Sequence, residues 1–203
     1  VSKYLTFIER REKQEPVAYI LGRREFWSLD FLLTRSVLVP RAETEILVSE
    51  TLHRVPRRGA RLLDLGTGCG NVALALASEG DNFSIVATDI SEEAVQIAQK
   101  NAMQLGLDKQ VSFVQGDWLE PFLALECFDG VVSNPPYIRL RDWDTLDHQT
   151  LDFEPTQALL GGDDGLDAYH SIIEDAHRFL RPSGWLLMEI GMDQAQEVRD
   201  CLQ

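Results

Sequence analysis

From Arg61 onward, short apolar runs alternate with longer stretches in which apolar residues recur every three or four positions. A brief apolar run bounded by turn formers reads as a buried strand, and the wider spacing reads as one face of a helix. Strands are predicted over Arg61–Leu65, Ser84–Thr88, Val111–Val114, Phe128–Ser133 and Trp185–Ile190, and helices over Asn71–Ser78, Glu92–Leu105, Leu166–Leu180 and Gln194–Leu202. Such alternation is the signature of βαβ units, hence of a mostly parallel sheet with helices on both faces. Residues 138–164 follow neither period and exceed an ordinary connection, so they read as a functional loop, a candidate lid. In this architecture ligands bind beyond the carboxyl ends of the strands.

Upstream the pattern is more broken. Residues 3–13 look helical until Gln14-Glu15-Pro16, where the missing proline N–H interrupts the ladder ahead of Val17–Gly22. Glu25-Phe26-Trp27 and Asp30–Leu33 flank a turn around Ser28, which predicts a β-hairpin, with a further extended run over Val37–Pro40. Between Ala42 and His53 the apolar residues return to helical spacing and stop before Pro56 and Gly59.

Composition narrows the class. The 203 residues, 44% of them hydrophobic, suffice for one α/β domain with a short appendage. No apolar stretch approaches the roughly 18 residues of a membrane span. The chain opens at Val1 without a secretory signal, and a cytoplasmic setting is expected, or an organellar matrix if a targeting segment precedes Val1. Cys69, Cys127 and Cys201 are odd in number and widely spaced, so they read as reduced thiols; they and the four histidines form no metal-ligand spacing, and no metal is expected. The net charge of −14 is uneven: residues 1–61 carry 12 basic against 8 acidic side chains, and residues 62–203 carry 7 against 25. A body at −18 repels a phosphate backbone, which argues against a nucleic-acid substrate and suits a cationic protein loop, although a solvated acidic surface is the plainer reading.

Four motifs carry the chemistry. Asp64-Leu65-Gly66-Thr67-Gly68-Cys69-Gly70 stands where a strand turns into a helix; its glycines allow a tight turn and close approach to a ligand, but Asn71 breaks the dinucleotide fingerprint. Asp89, at the next strand end, can accept hydrogen bonds from both hydroxyls of a ribose and would repel a 2′-phosphate; helix capping, the alternative role, is already served by Ser91. Gln115-Gly116-Asp117-Trp118 closes the third strand with an aromatic and a carboxylate able to flank a purine, though Trp118 could equally be core. Ser133-Asn134-Pro135-Pro136-Tyr137 follows the fourth. Each proline restricts its predecessor to extended conformations, so Asn134 and Pro135 are held rigid with carbonyls free to accept. A planar –NH₂ could donate to the Asn134 side-chain oxygen and the Pro135 carbonyl, with Tyr137 against its π-face.

The motifs DLGTGCG, TDIS, QGDW and VSNPPY, in this order, resemble the HemK/PrmC family of protein-(glutamine-N5) methyltransferases, which modify peptide chain release factors. EPVAYILG, EFW, VLVPRAETE, FEPTQALLGGDDGLDAY and LLMEIGMDQ extend the likeness from Glu15 to about Gln194. The resemblance implies a Rossmann-like class I methyltransferase using S-adenosyl-L-methionine. Gly66, Thr67, Gly68, Cys69 and Gly70 would line its methionine part, Asp89 its ribose and Trp118 its adenine, while Asn134, Pro135, Pro136 and Tyr137 would hold the acceptor glutamine, with Asn134 also touching the cofactor. Residues 1–24 would be the remnant of an N-terminal helical docking module, 25–58 a hairpin and connecting helix, and 59–203 the methyltransferase domain. Two departures stand out: Ala42 replaces a usual proline, and the chain stops at Gln203 where the family fold continues through two further strands, leaving the fifth strand as an exposed edge. Two rivals remain. One is a methyltransferase acting on adenine-N6 or guanine-N2 of nucleic acid; the other is a cofactor-binding module without activity.

Overall fold

A computed structural model describes residues 2–55, 59–80, 83–122 and 128–202. The chain opens with α1 (Ser2–Glu12) and α2 (Val17–Leu21), the hairpin β1 (Arg23–Phe26) and β2 (Leu29–Leu32), and α3 (Glu45–Arg54), entered through a 3₁₀ turn at Ala42–Thr44. Alternation then begins: β3 (Arg61–Leu65), α4 (Asn71–Glu79), β4 (Ser84–Asp89), α5 (Glu92–Leu105), β5 (Val111–Gln115) and β6 (Phe128–Ser133). The last part comprises α6 (His148–Phe153), α7 (Asp167–Ala176), β7 (Leu180–Met188) and α8 (Ala195–Cys201).

The five later strands form one parallel sheet in the order β5-β4-β3-β6-β7. Strand order reverses between β3 and β6, where the chain leaves the sheet toward α4 on one side and toward Asn134 on the other, so a crevice opens at their carboxyl ends. Alternation along each strand divides the core. Leu62 and Val132 pack with α4, α5 and the hairpin's Phe26 and Phe31 on one face, and Leu63, Leu65 and Val131 pack with Ile172 and Ala176 of α7 on the other. Leu62, Leu63 and Leu65 are fully buried, and truncating any of them to alanine would cost about 2–5 kcal/mol. No described helix is long and apolar enough to cross a membrane.

The hairpin is joined to the sheet domain by Asn101 of α5. This buried side chain accepts from Leu32 N–H (2.7 Å) and donates to Leu32 C=O (3.1 Å) and Cys69 C=O (2.8 Å), standing in for a strand partner of β2. The hairpin turn places Trp27 and Ser28 at positive φ, and their N–H groups are held by Glu45 (2.9 Å) and Glu25 (2.7 Å).

Val17–Leu21, given no element from the sequence, is a short helix ended by Gly22 at φ 73°. Three elements differ from the sequence reading. The helix predicted over Leu166–Leu180 stops at Ala176, and Leu180 already belongs to β7. The fifth sheet strand starts at Leu180, not Trp185, because Phe128 N–H already bonds Phe179 C=O; the register then shifts around Ser183 (φ 68°), and the Trp185 ring crosses bare Gly130, where a Cβ would sit 2.3 Å from it. Among the described residues β7 has one strand neighbour and forms a sheet edge, as expected. The segment 138–164 is not a free loop: it holds a 3₁₀ turn, α6 and a second 3₁₀ turn, and its ends are stitched by Ile138 N–H to Leu159 C=O and Gly161 N–H to Ile138 C=O, both 2.9 Å.

Candidate functional site

A cleft of about 620 Å³ opens at the carboxyl ends of β3, β4, β5 and β6. It is lined by Gly66, Gly68, Asp89, Trp118, Asn134 and Pro136, with one wall supplied by residues 35–38 and another by Pro155 to Gly161. A recess of about 40 Å³ adjoins it, reached by Thr67, Cys69, Asp64, Arg41 and Thr44. Gly66, Gly68 and Asn134 border both spaces. Gly70 lies behind them as the left-handed N-cap of α4 (φ 85°), where a Cβ would stand 3.1 Å from both Ala98 Cβ and Leu74 Cδ1. Pro135 is buried and Tyr137 packs half-buried beside Leu166, Tyr169 and Val198, and neither lines either space.

The β3 and β4 ends are tied together by carboxylates. Asp89 accepts from Gly68 N–H (2.8 Å) through one oxygen and from Ser91 N–H (2.9 Å) through the other, while Ser91 Oγ caps α5 at Ala94 N–H (3.2 Å). Asp64 is buried and accepts from the Thr67 hydroxyl at 2.6 Å. Burial pushes the Asp64 carboxyl up to about 7, and it also raises Asp89 against the opposing N–H bonds. Burial drives the Cys69 thiol up to about 12, so it is neutral and no nucleophile. Trp118 is held at φ 40° with its ring against Gly66, 3.4 Å from where a Cβ would stand. At Gly68 a Cβ would meet nothing within 4 Å, so bare backbone faces open space.

Beyond β6, Asn134 donates from Nδ2 to Thr44 Oγ1 at 3.1 Å. The Glu189 carboxyl lies near both groups; burial raises its pKa, and the neighbouring Thr44 and Asn134 side chains oppose that rise, while its Oε2 is buried without a hydrogen-bond partner among the described residues. Arg41 is gripped by Glu154 Oε1 (2.6 Å), whose other oxygen accepts from Val39 N–H (3.1 Å). The segment VLVPRAETE is thus clamped by the FEP segment. Gln194, fully buried, donates to Tyr137 C=O (3.1 Å) and Gly165 C=O (3.3 Å) and accepts from Gly191 N–H (3.1 Å), joining the NPPY exit to the GGDDG loop.

Thr44, Glu189, Asp64, Arg41 and Glu154 were not singled out as site residues from the sequence. Each stands inside a stretch that carried the resemblance, but no spacing rule connects positions so far apart. Among the described residues no group of three or more His, Cys, Asp or Glu could hold a metal ion. Cys127 lies outside the described residues, and Cys69 and Cys201 are free thiols.

A methyltransferase-domain family model matches residues 56–200. A release factor glutamine methyltransferase of Xylella fastidiosa (strain 9a5c) is 46% identical over 200 residues, covering 98% of this chain and 72% of that protein. Proteins of the same name from Coxiella burnetii (44% identical; 97% and 70% covered) and Geobacter sulfurreducens (44%; 94% and 66%) are similar throughout. Among solved structures, a methyltransferase from Pyrococcus furiosus shares the fold at a TM-score of 0.64 and 19% identity, covering 100% of this chain and 86% of that one.

Proposed function

The chain belongs to the release factor glutamine methyltransferase family, and from that premise we propose that it transfers a methyl group from S-adenosylmethionine to the side-chain amide nitrogen, N5, of a glutamine in a peptide chain release factor. The observation that carries this reading is the seat of Asn134, on the border between the large cleft and the small recess, with Nδ2 turned to Thr44.

The large cleft fits a nucleoside-bearing cofactor in three respects. Its volume lies within the range of small-molecule sites. Gly68 presents uncovered backbone to open space, and the Asp89 carboxylate and the Trp118 ring stand at neighbouring strand ends. When bound, the cofactor supplies a methyl group on an electrophilic sulfonium. In this reading Gly66 to Gly70 cradle the methionine part, Asp89 accepts from the ribose hydroxyls and Trp118 stacks on the adenine.

The chain's task is then to position an acceptor. An amide nitrogen is a poor nucleophile because its lone pair is delocalised, so orientation and carbonyl acceptors must supply most of the catalysis. Asn134 Oδ1 and the Pro135 carbonyl accept the two N–H groups, and they stabilise the positive charge that develops on nitrogen. Pro136 borders the acceptor site, and Tyr137 backs it from its packing against Leu166 and Tyr169. Residues 1–24 serve to dock the substrate protein, and 25–58 contribute the hairpin and the cleft wall at residues 35–38. The expected setting is the cytoplasm, and the acidic body turns phosphate backbones away.

Methyl-labelled cofactor tests the proposal. The full-length protein should label a release factor and leave DNA and naked RNA unlabelled, and replacing the acceptor glutamine by glutamate, which removes both N–H donors, should abolish labelling. Efficient labelling of DNA, or undiminished labelling of the glutamate variant, overturns the glutamine reading; cofactor binding with no labelling of any acceptor points to a module without activity.

A further inference from the structure

Strand order fixes the direction in which the cofactor lies. The groups assigned to its adenine, ribose and methionine parts stand at successive strand ends: Trp118 beyond β5, Asp89 at β4, and Gly66 to Gly70 beyond β3. A molecule laid across them carries its amino-acid end toward β6, the next strand in the sheet. There Gly66, Gly68 and Asn134 open into the small recess. That end of the cofactor bears an α-ammonium and an α-carboxylate. The turn from Gly66 to Gly70 contains no cation to meet the carboxylate.

The recess is electrically polarised. Among its described lining residues Arg41 is the one cation and Asp64 the one carboxyl. Arg41 is held from one side only. The buried Glu154 accepts from its Nη2 at 2.6 Å and, through the other oxygen, from Val39 N–H at 3.1 Å, so one carboxylate fixes both the guanidinium and the backbone that carries it. A guanidinium is a rigid planar fork of N–H donors able to serve two carboxylates at once. Among the described residues Glu154 is the one hydrogen-bond partner of this fork, and the side chain is still 36% exposed. Its remaining donors are free for a second anion. Arg35, the cation of the large cleft, lines that space alone and lies over the Phe153 ring at 4.7 Å, paired to Glu15.

We propose that Arg41 binds the α-carboxylate of the cofactor's methionine part in the recess, with Glu154 as the positioning residue that orients the guanidinium from behind. Repulsion by Arg41 then directs the ammonium toward the Asp64 side. The proposal rests on the placement of the cofactor in the large cleft, and not on the identity of the acceptor. It makes the recess a selectivity device: a nucleoside with the same adenosine and thioether but no carboxylate forfeits the charge-assisted pair. By its partners Arg41 belongs to the acceptor side, and it meets the cofactor at the far end, where the two sides of the cleft join.

Calorimetry with two ligands tests the assignment without any acceptor. S-adenosylhomocysteine and its decarboxylated analogue S-adenosyl-3-thiopropylamine share the nucleoside, the thioether and the ammonium, and differ in the carboxylate alone. The full-length wild-type protein should prefer S-adenosylhomocysteine by about tenfold or more. Arg41→Gln should lose that factor for S-adenosylhomocysteine and change the analogue's affinity by less than about twofold, so that the preference collapses. Arg41→Lys should keep part of it, because a point charge remains without the planar fork. Arg41→Gln strands Glu154 as a buried unpaired charge and could fail to fold; the double variant Arg41→Gln with Glu154→Gln removes both charges and should show the same collapse. Asp89→Ala, acting through the ribose that both ligands carry, should weaken the two alike. Equal affinity of the wild type for both ligands overturns the assignment while leaving the cofactor in its cleft. Equal loss of both ligands in Arg41→Gln also overturns it and reduces Arg41 to a strut of the wall. If neither ligand binds the wild type, the cofactor placement and the Arg41 assignment fall together.

Discussion

The two sides of the cleft are built in opposite ways. On the cofactor side the stabilising contacts are short-range in sequence: Thr67 reaches Asp64 three positions away, Ser91 reaches Asp89 two away, and Gly68 reaches Asp89 across 21. On the acceptor side Asn134 meets Thr44 across 90 positions, and Glu154 holds Arg41 and Val39 across 113 and 115. The first can be specified by a motif at a strand end; the second exists only once the whole sheet has closed. Their electrostatics differ as well. Asp64 and Asp89 are desolvated acids held by N–H and O–H groups, while Glu154 is matched by the Arg41 cation. Buried acids held by neutral donors suit a cationic ligand; the acceptor side keeps one such acid, Glu189, beside the Arg41–Glu154 pair and the neutral Thr44 and Asn134.

The largest test of this contrast is the pH dependence of stability. The folded-state pKa of Asp64 is raised to about 7, above its unfolded value, so the folded form keeps a proton that the unfolded chain has released. Its contribution is therefore fully present below the unfolded value, lost as pH rises through about 7 and flat beyond, amounting to at most about 4 kcal/mol. Urea unfolding of the cofactor-free protein at pH 5 and pH 8 should show this decline, and Asp64→Asn should flatten it. An unchanged slope in the variant would mean that Asp64 is not the buried acid responsible.

Next in size is Asn134→Ala, which belongs to the acceptor side. Turnover should fall about 10²-fold or more while cofactor affinity changes only a few-fold, since the lost contact matters most in the transition state. Steady-state kinetics beside calorimetry separates the two quantities. Parallel losses in both would place Asn134 on the cofactor side and erase the division drawn above.

The smallest expected effect, about 1–3 kcal/mol in cofactor affinity, comes from Asp89→Ala, with turnover at saturating cofactor little altered. Both carboxylate oxygens already accept backbone N–H groups, so Asp89→Asn, which turns one acceptor into a donor, should not restore affinity. Calorimetry that finds an unchanged dissociation constant in Asp89→Ala would reduce this residue to a tie between two loops.

Much of the sheet was legible before folding. The spans of β3, β6 and α5 match the predicted ranges end for end, because each is an apolar run or periodic stretch bounded by its own turn formers or by the Ser91 cap. The edge strand was misjudged at its start, since Pro182-Ser183-Gly184 reads locally as a turn and only the ladder to β6 draws Leu180 and Arg181 into the sheet. The long segment after NPPY was misjudged in a similar way: its short helix and 3₁₀ turns lack a sustained period, and its order comes from pairing between Ile138 and Leu159 to Gly161.

What the sequence determined by itself was therefore the local grammar: which runs become strands, where helices begin and stop, and which glycine, carboxylate and proline motifs fall at strand ends. What only the tertiary structure decided was company. Thr44 beside Asn134, Glu189 behind both, Glu154 clamped on Arg41 and Asn101 completing the edge of the hairpin all join positions remote in the chain. The physical reason is that hydrophobic periodicity reports burial face by face, whereas a hydrogen bond between distant polar side chains leaves no periodic trace and is fixed only when strand order and register bring its partners within reach.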